Sequence, residues 1–415
     1  MDNILKVKLW GNDVGRLAWD KKGRRALFSF SPSFAAKKYD IAPLTASISN
    51  PYLRQGGIYK GNTNKKIYKG LPEFLADSLP DRWGETLMAR WSKENMPNVH
   101  FTPVDALAFM GKRAMGALEF EPCLEEWDKP IEVELSSLYK IADDILNERT
   151  KVQEHISAAS MQSLYLVGTS AGGMQPKAII AINEDDGTIK SGQIPLDGNY
   201  KYYILKFDRN GRFPYSQMEK TYYDMAVSCG IKMMPSKLVT IDGHRHFLTE
   251  RFDREGKEKI HIQTLAAMYP EADSYEELMK AARMLNIPDC EVCEIFRLAA
   301  FNILAANMDD HNKNFSFLMK KDGQWHFAPA YDLNFTVDVH GSSLYHRHEL
   351  TLCGKDRDIT SSDILAFGEE MCVKNATSIL NDVEYTVHHF SDFASANSIN
   401  EAYIKEIDGF LKTIR

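Results

Sequence analysis

The sequence predicts an α+β protein of two lobes, and three observations carry that expectation. Strand-like patterns dominate residues 1–45 and 166–252, whereas beyond residue 262 the periodicity is almost wholly helical. The densest group of polar side chains, "NMDDHNKNFSFL" at residues 307–318, lies near the junction of these halves. A cleft between a strand-rich lobe and a helical one is a favoured place for a ligand.

The elements follow in order. Short runs "ILKVKLW", "GRLAW" and "RALFSF" alternate apolar and polar residues between Gly and Asp turns, which predicts a small antiparallel sheet. Residues 71–92 have helical spacing, with Leu75, Leu79 and Trp83 on one side and Pro72 and Pro80 as punctuation. Residues 103–120 end in the strand-like "GALEF", and a charged, helix-prone stretch from about 124 to 165 follows. Strands are expected at "KAIIAI", "YYILKF", "KLVTI" and "HFLTERF", with one helical insert at 214–229. The helical half is interrupted only by the short apolar runs "NFSFLM" and "WHFAPA".

Composition narrows the function. At 415 residues the chain suits two or three domains, and its 44% hydrophobic and 26% charged residues are ordinary for a soluble globular protein. A net charge of −7 gives no global attraction to nucleic acid or anionic membrane. "KGNTNKKIYK" at 60–69 reads as a solvated loop. No secretory signal and no membrane-spanning run is visible, so no membrane association is expected. Six cysteines form no disulfide framework. Cys290 and Cys293 make a lone CxxC within a helical pattern and read as buried or partly buried helix residues, which fits a reducing cytoplasm.

Four segments bear chemistry. In "VGTSAGGMQPKAII" (167–180), Gly168, Gly172 and Gly173 lead into a strand. Glycines let successive N–H groups converge on phosphate oxygens, although the pattern is neither of the familiar phosphate-loop motifs and a structural turn is its default reading. In "YYILKFD" (202–208), Lys206 sits in an apolar strand, where it either snorkels outward or meets an anion. Glu219, on the following helical segment, is a candidate carboxylate partner.

The third segment is the polar cluster. Asp309 and Asn314 stand five apart, the Asp-x4-Asn spacing of a kinase catalytic loop. His311 beside two aspartates raises zinc as an alternative, but zinc wants further His or Cys ligands at close spacing and none is near. The fourth is "FAPAYDLNF" (327–335), in which Asp332 lies 18 residues after Asn314. Alone it is an ordinary turn aspartate, whereas an Asn/Asp pair suits Mg²⁺ shared with nucleotide phosphates. Together the four occur in the order that nucleotide phosphoryl transfer requires.

The chain also resembles the HipA family, the serine/threonine kinase toxins of bacterial toxin–antitoxin pairs. The resemblance covers nearly the whole chain: "LADSLPDRWG", "MGALEFEP", "GGMQPKA", "YILKF", "ERFDR", "HIQTLAAM", "DDHNKNFSF" and "APAYDL" carry it. It implies a two-lobed protein-kinase-like fold with a HipA-type N-terminal subdomain at 1–125, the rest of the N-lobe at 126–252 and an all-helical C-terminal lobe at 253–415. It assigns Gly172, Gly173, Lys177, Lys206, Glu250 and Phe252 to ATP binding, with Glu250 and Phe252 at the hinge. Lys206 then contacts the phosphates, Asp309 is the catalytic base, and Asn314 and Asp332 bind Mg²⁺. Ser170, with Thr169 beside it, takes the place of the serine whose autophosphorylation inactivates family members. The implied partners are a HipB-like helix-turn-helix antitoxin, an aminoacyl-tRNA synthetase as protein substrate, and DNA only through the antitoxin. Two departures stand out: Asp310 where a small residue is common, and Pro176 where some members are acidic. The rival readings are a catalytically silent HipA-like binding module acting as co-repressor, and a small-molecule kinase of the same fold.

Overall fold

The alternation in the first thirty residues forms strands Leu5–Leu9, Asn12–Asp20 and Arg25–Phe30, paired antiparallel as neighbours. This architecture comes from a computed structural model that describes residues 4–37, 39–97, 100–124, 130–146, 158–168, 175–208, 213–342 and 346–414. Strand Ile58–Lys60 joins one edge of the sheet and Leu118–Glu121 the other. Every second residue of Leu5–Leu9 is buried, as the period-two pattern requires. On the buried face Phe28 packs edge-on against Phe30 and Phe74, at ring-centroid distances of 4.9 and 5.4 Å. Each such ring contributes about 1.5–3 kcal/mol of burial.

The helical spacing of residues 71–92 is not one helix. A short helix Glu73–Ala76 ends before Pro80, and a longer one runs Arg82–Asn95. Proline disfavours helical backbone in the residue before it and lacks an N–H to donate. Asp81 then restarts the helix as its N-cap, its Oδ1 accepting the Gly84 N–H at 2.7 Å.

The chain divides into two compact units. The first holds Met1–Arg209, Val239–Gln263 and Met319–Gln324; the second holds Asn210–Leu238, Thr264–Leu318 and Trp325–Arg415. The first unit contains the N-terminal sheet and most of a second one, ordered Ile189–Ser191, Lys177–Asn183, Tyr200–Lys206, His244–Glu250, Ser236–Ile241. These match the strands expected at "KAIIAI", "YYILKF", "KLVTI" and "HFLTERF". Lys177 and Lys206 are directly opposed across two of its strands, and Phe247 is opposed to Lys206 on the other side.

Buried charges tie this unit together. Arg251 donates to both carboxylate oxygens of Asp253, at 2.7 and 2.6 Å, and Arg254 donates to Oδ2 at 2.7 Å. The same Oδ2 accepts the Gly116 N–H at 2.8 Å. The guanidinium groups reach on to the carbonyls of Gly192 and Gln193, while Lys259 Nζ donates to Glu119 and to the Lys112 carbonyl. Burial alone would raise the Asp253 carboxyl, but the two arginines hold it well below the usual carboxylate range. Burial pulls Lys259 down to about 8 against the attraction of Glu119.

The second unit is mainly helical, as expected, with strand Trp325–Phe327 and all but the last residue of strand Ser316–Met319 at the two apolar runs. Helix Asp289–Leu304 is its axis: Val292, Ile295, Phe296, Ala299 and Ile303 are buried at helical spacing. Helix Ser361–Glu370 starts from a capping box between Thr360 and Asp363. Cys290 and Cys293 lie in the first turns of the axial helix. Cys293 is half-buried, but Cys290 is exposed, contrary to the expectation of burial, because the helix start projects into solvent. Among the described residues no helix is long and apolar enough to cross a membrane.

Burial also pushes His261, in the first unit, down to about 4. Between pH 4 and 6.5 the unfolded chain therefore binds a proton that the folded chain excludes, so stability falls on acidification through this window. The His261 contribution is up to about 3 kcal/mol. His261→Gln should flatten the pH dependence of the urea midpoint between pH 7 and 4.5; an unchanged slope would disprove the assignment.

Candidate active site

The axial helix ends at Leu304, and the polar cluster begins three residues later as an extended loop. Its start is pinned twice. Asn307 donates its backbone N–H to the Asn302 carbonyl and its side-chain amide to Asn302 Oδ1, both at 2.9 Å. Thr336 Oγ1 then accepts the N–H groups of Met308 and Asp309, at 2.7 and 3.2 Å. On the far side, the Ala266 and Leu265 N–H groups donate to the carbonyls of Asn312 and Phe315. A loop held at so many backbone atoms keeps its side chains in fixed directions.

Asp309 and Asp310 face opposite ways. The Asp310 carboxylate is fully buried: Oδ2 accepts from Tyr275 Oη at 2.5 Å and pairs with His348 Nδ1 at 2.9 Å, while Oδ1 accepts the Glu349 N–H at 2.8 Å. Tyr275 Oη in turn accepts from Asn302 Nδ2 at 3.1 Å. Asp310 is therefore an internal anchor whose oxygens are engaged by protein donors, so it is placed to hold the loop rather than a metal. Neighbouring Asp309 keeps 64% of its side chain exposed, with His311 Nε2 3.9 Å from Oδ1.

The carboxyl of Asp309 is raised above its ordinary value. Partial loss of water around it is the largest cause, followed among the raising influences by the negative charges of Asp332, Glu349 and Asp310; His311 opposes them. The charge of Asp332 therefore bears on that of Asp309.

Asn314 completes the group. Its Nδ2 donates to the Asp309 carbonyl at 2.8 Å, leaving Oδ1 as the atom available to a cation. Asp332 adopts left-handed backbone, φ 55°, between buried Ala330 and Leu333. Aspartate tolerates that conformation better than most residues, and non-glycine residues held there often cluster at active sites. Tyr331 beside it bonds the loop, meeting Ser316 Oγ at 2.6 Å and donating to the Lys313 carbonyl at 2.8 Å. An amide oxygen with a carboxylate is a hard, oxygen-only pair that fits Mg²⁺ completed by phosphates and water. Among the described residues no cluster of three or more His, Cys, Asp or Glu side chains suits a metal.

In the first unit, Lys206 ends its strand almost completely buried, its Nζ 5.8 Å from the centre of the Phe247 ring. Lys177 begins the adjacent strand, also buried, and its Nζ lies 3.2 Å from Asp81 Oδ2. Glu250 closes strand His244–Glu250 opposite Tyr203, and the next N–H, of Arg251, donates to the Tyr202 carbonyl. Phe252 follows, half-buried. Glu219 is buried on helix Tyr215–Ser228 of the second unit. Thr169, Ser170, Gly172 and Gly173 lie outside the described residues.

Sequence reasoning did not find Asp81, Thr336, Tyr275 or His348. Each acts on a partner 27 to 96 residues away, and no local spacing announces such pairs.

Comparison with known proteins places the chain. A HipA N-terminal domain model matches residues 5–121, and a HipA-like C-terminal domain model matches residues 169–394, more than half of the chain. The chain belongs to the HipA family. Every site residue assigned from sequence falls within the HipA-like C-terminal match. The fold is similar over 99% of this chain and 97% of the other to the Shewanella oneidensis MR-1 toxin–antitoxin system HipA, HipB and operator DNA complex, at TM-score 0.65 and 14% identity. A Helicobacter pylori proinflammatory kinase, CtkA, superposes at TM-score 0.37 and 14% identity over 51% of this chain and 86% of its own. A curated Sinorhizobium fredii protein named "Putative kinase Y4mE" is 27% identical over 161 residues, 35% of this chain. The match spans 38% of that relative's length.

The buried anchor sets a measurable cost. Asp310→Ala leaves the Tyr275 hydroxyl, His348 and the Glu349 N–H without their acceptor and should destabilise the protein by about 2–4 kcal/mol. Urea denaturation at neutral pH measures it; a loss below about 0.5 kcal/mol, the scale of surface changes, would contradict the anchoring role.

Proposed function

We propose that this HipA-family protein is an ATP- and Mg²⁺-dependent serine/threonine protein kinase that acts as a growth-arrest toxin. The observation that carries the reading is the second unit's trio: Asp309 with a raised carboxyl, Asn314 bonded to its carbonyl, and Asp332 within reach of its charge. The resemblance of Lys177, Lys206, Glu250 and Phe252 to the family's nucleotide-binding positions supports it.

In this reading Glu250 and Phe252 contact adenine mainly through backbone groups, and Lys206 neutralises the phosphates. The Asp309 carboxylate accepts the proton of a substrate hydroxyl as that oxygen bonds to the γ-phosphorus. The bond from the γ-phosphorus to the β,γ-bridging oxygen breaks, and ADP leaves. A raised carboxyl is a better proton acceptor than an ordinary one, so partial desolvation and the local negative charge favour the role. Mg²⁺, held by Asn314 and Asp332, would neutralise the developing phosphate charge. Thr336 and Asn314 keep the Asp309 backbone in place during the transfer.

For partners, the reading takes a HipB-like helix-turn-helix antitoxin that carries the protein to DNA, with an aminoacyl-tRNA synthetase as the protein substrate class. The net charge of −7 suits DNA contact made mainly by a basic partner. Ser170 or Thr169 is the proposed autophosphorylation position, where a phosphate group would repel those of ATP.

Two measurements test this. With labelled ATP, Asp309→Asn should lower phosphate incorporation by about 10²–10⁴-fold while the circular dichroism spectrum is unchanged. Full labelling by that variant would remove Asp309 as the base. Peptide mapping of the labelled wild-type chain should place phosphate on Ser170 or Thr169; label confined to other peptides would refute that position.

A further inference from the structure

Lys177 and Asp81 form an enclosed lysine–carboxylate pair, with side chains 2% and 8% exposed. They come from different family regions: Asp81 from the HipA N-terminal match, Lys177 from the C-terminal one. Asp81 has two jobs. Its Oδ1 caps helix Arg82–Asn95 through the Gly84 N–H, and its Oδ2 faces Lys177 Nζ at 3.2 Å.

The same helix braces the chain before Lys177. Tyr165 Oη donates to Glu94 Oε2 at 2.9 Å. At Gly168 a Cβ would lie 2.6 Å from Leu87 Cδ1 and 3.2 Å from Trp83 Nε1, so the backbone here packs closely on this helix and a larger residue would make Leu87 shift. Helix Arg82–Asn95 thus holds residues 165 and 168 on one side and, through its cap, residue 177 on the other. Lys177 and Lys206, being opposed in antiparallel strands, project from the same face of the sheet. Two buried lysines side by side repel, and a charge removed from water calls for an opposite charge near it. Asp81 supplies that counter-charge.

We infer that Asp81 is a positioning residue for the nucleotide site: it holds Lys177 Nζ in place beside Lys206, so the N-terminal HipA domain forms part of the phosphate-binding apparatus. The inference rests on the kinase reading above. Its ligand is the polyphosphate of a nucleoside triphosphate.

Asparagine caps a helix as well as aspartate does, so Asp81→Asn removes the charge and keeps the cap. Binding of ATP and of adenosine to the full chain is measured by calorimetry with Mg²⁺ present. Asp81→Asn and Lys177→Met should each weaken ATP binding by about tenfold and leave adenosine binding unchanged. The double variant should bind ATP as weakly as Lys177→Met alone, because Asp81 acts through Lys177. Wild-type ATP affinity in Asp81→Asn, or a loss fully additive with that of Lys177→Met, overturns the inference. Unaltered affinity in Lys177→Met overturns it too, leaving the kinase reading intact. If the unsubstituted chain binds no ATP, the kinase reading fails and takes the inference with it.

Discussion

A charge withdrawn from water must find its opposite inside the protein or give up its proton, and much of this chain's architecture answers that demand. In the first unit Asp253 is clamped by Arg251 and Arg254, Lys259 by Glu119, and Lys177 by Asp81. In the second unit Asp310 meets His348 and two further donors. Such pairs add little net stability over apolar packing of similar volume, but losing one partner is costly because the other stays buried. Their effect is therefore geometric. Lys177 with Asp81, Lys259 with Glu119 and Asp310 with His348 each force two distant segments into one relative position, and the Asp253 cluster does so through the backbone of Gly116, Gly192 and Gln193.

Asp309 and Asp310 show the principle at the smallest scale. The two are chemically identical neighbours, yet the extended loop turns one toward water and the other into a cage of donors. Asp310 has its oxygens committed and can only hold. Asp309 has one weak neighbour, His311 at 3.9 Å, and several like charges, so its oxygens remain available and their proton affinity rises. The departure noted in the sequence, an acidic residue where a small one is common, thus serves as the loop's foundation, while its charge also contributes slightly to raising Asp309.

Much of this was legible in the sequence. Period-two alternation located the N-terminal strands, apolar runs located those of the second sheet, and 3.6-residue spacing located the axial helix. The Asp-x4-Asn spacing located the polar loop, since four intervening residues of extended chain and turn bring Asn314 back to the Asp309 carbonyl. The break at Pro80 was visible as a proline but not as two helices, because Asp81's cap bond forms only once the chain has turned. The resemblance assigned Lys177 to ATP binding, but nothing announced its carboxylate neighbour, because Asp81 is 96 residues earlier and looks like any helix cap. The anchors Tyr275 and His348 were invisible for the same reason: pairing across the fold leaves no periodicity to read.

The placement of these long-range pairs also explains the unequal division of the chain. The HipA N-terminal match, residues 5–121, and the sheet containing Lys177, Lys206 and Glu250 lie in one compact unit. Gly116 is held from both sides, its N–H by Asp253 and its carbonyl by Arg254 at 3.4 Å, while Lys112 and Glu119 meet Lys259. Asp253 and Arg254 directly follow Glu250 and Phe252, so the backbone proposed to meet adenine is set by residues of the N-terminal region. At the other end of the sheet, Asp81 does the same for Lys177. An N-terminal region that merely docked partners would need neither contact. One that helps to shape the nucleotide site uses both, and uses them buried, where a polar contact is electrostatically stronger than in water.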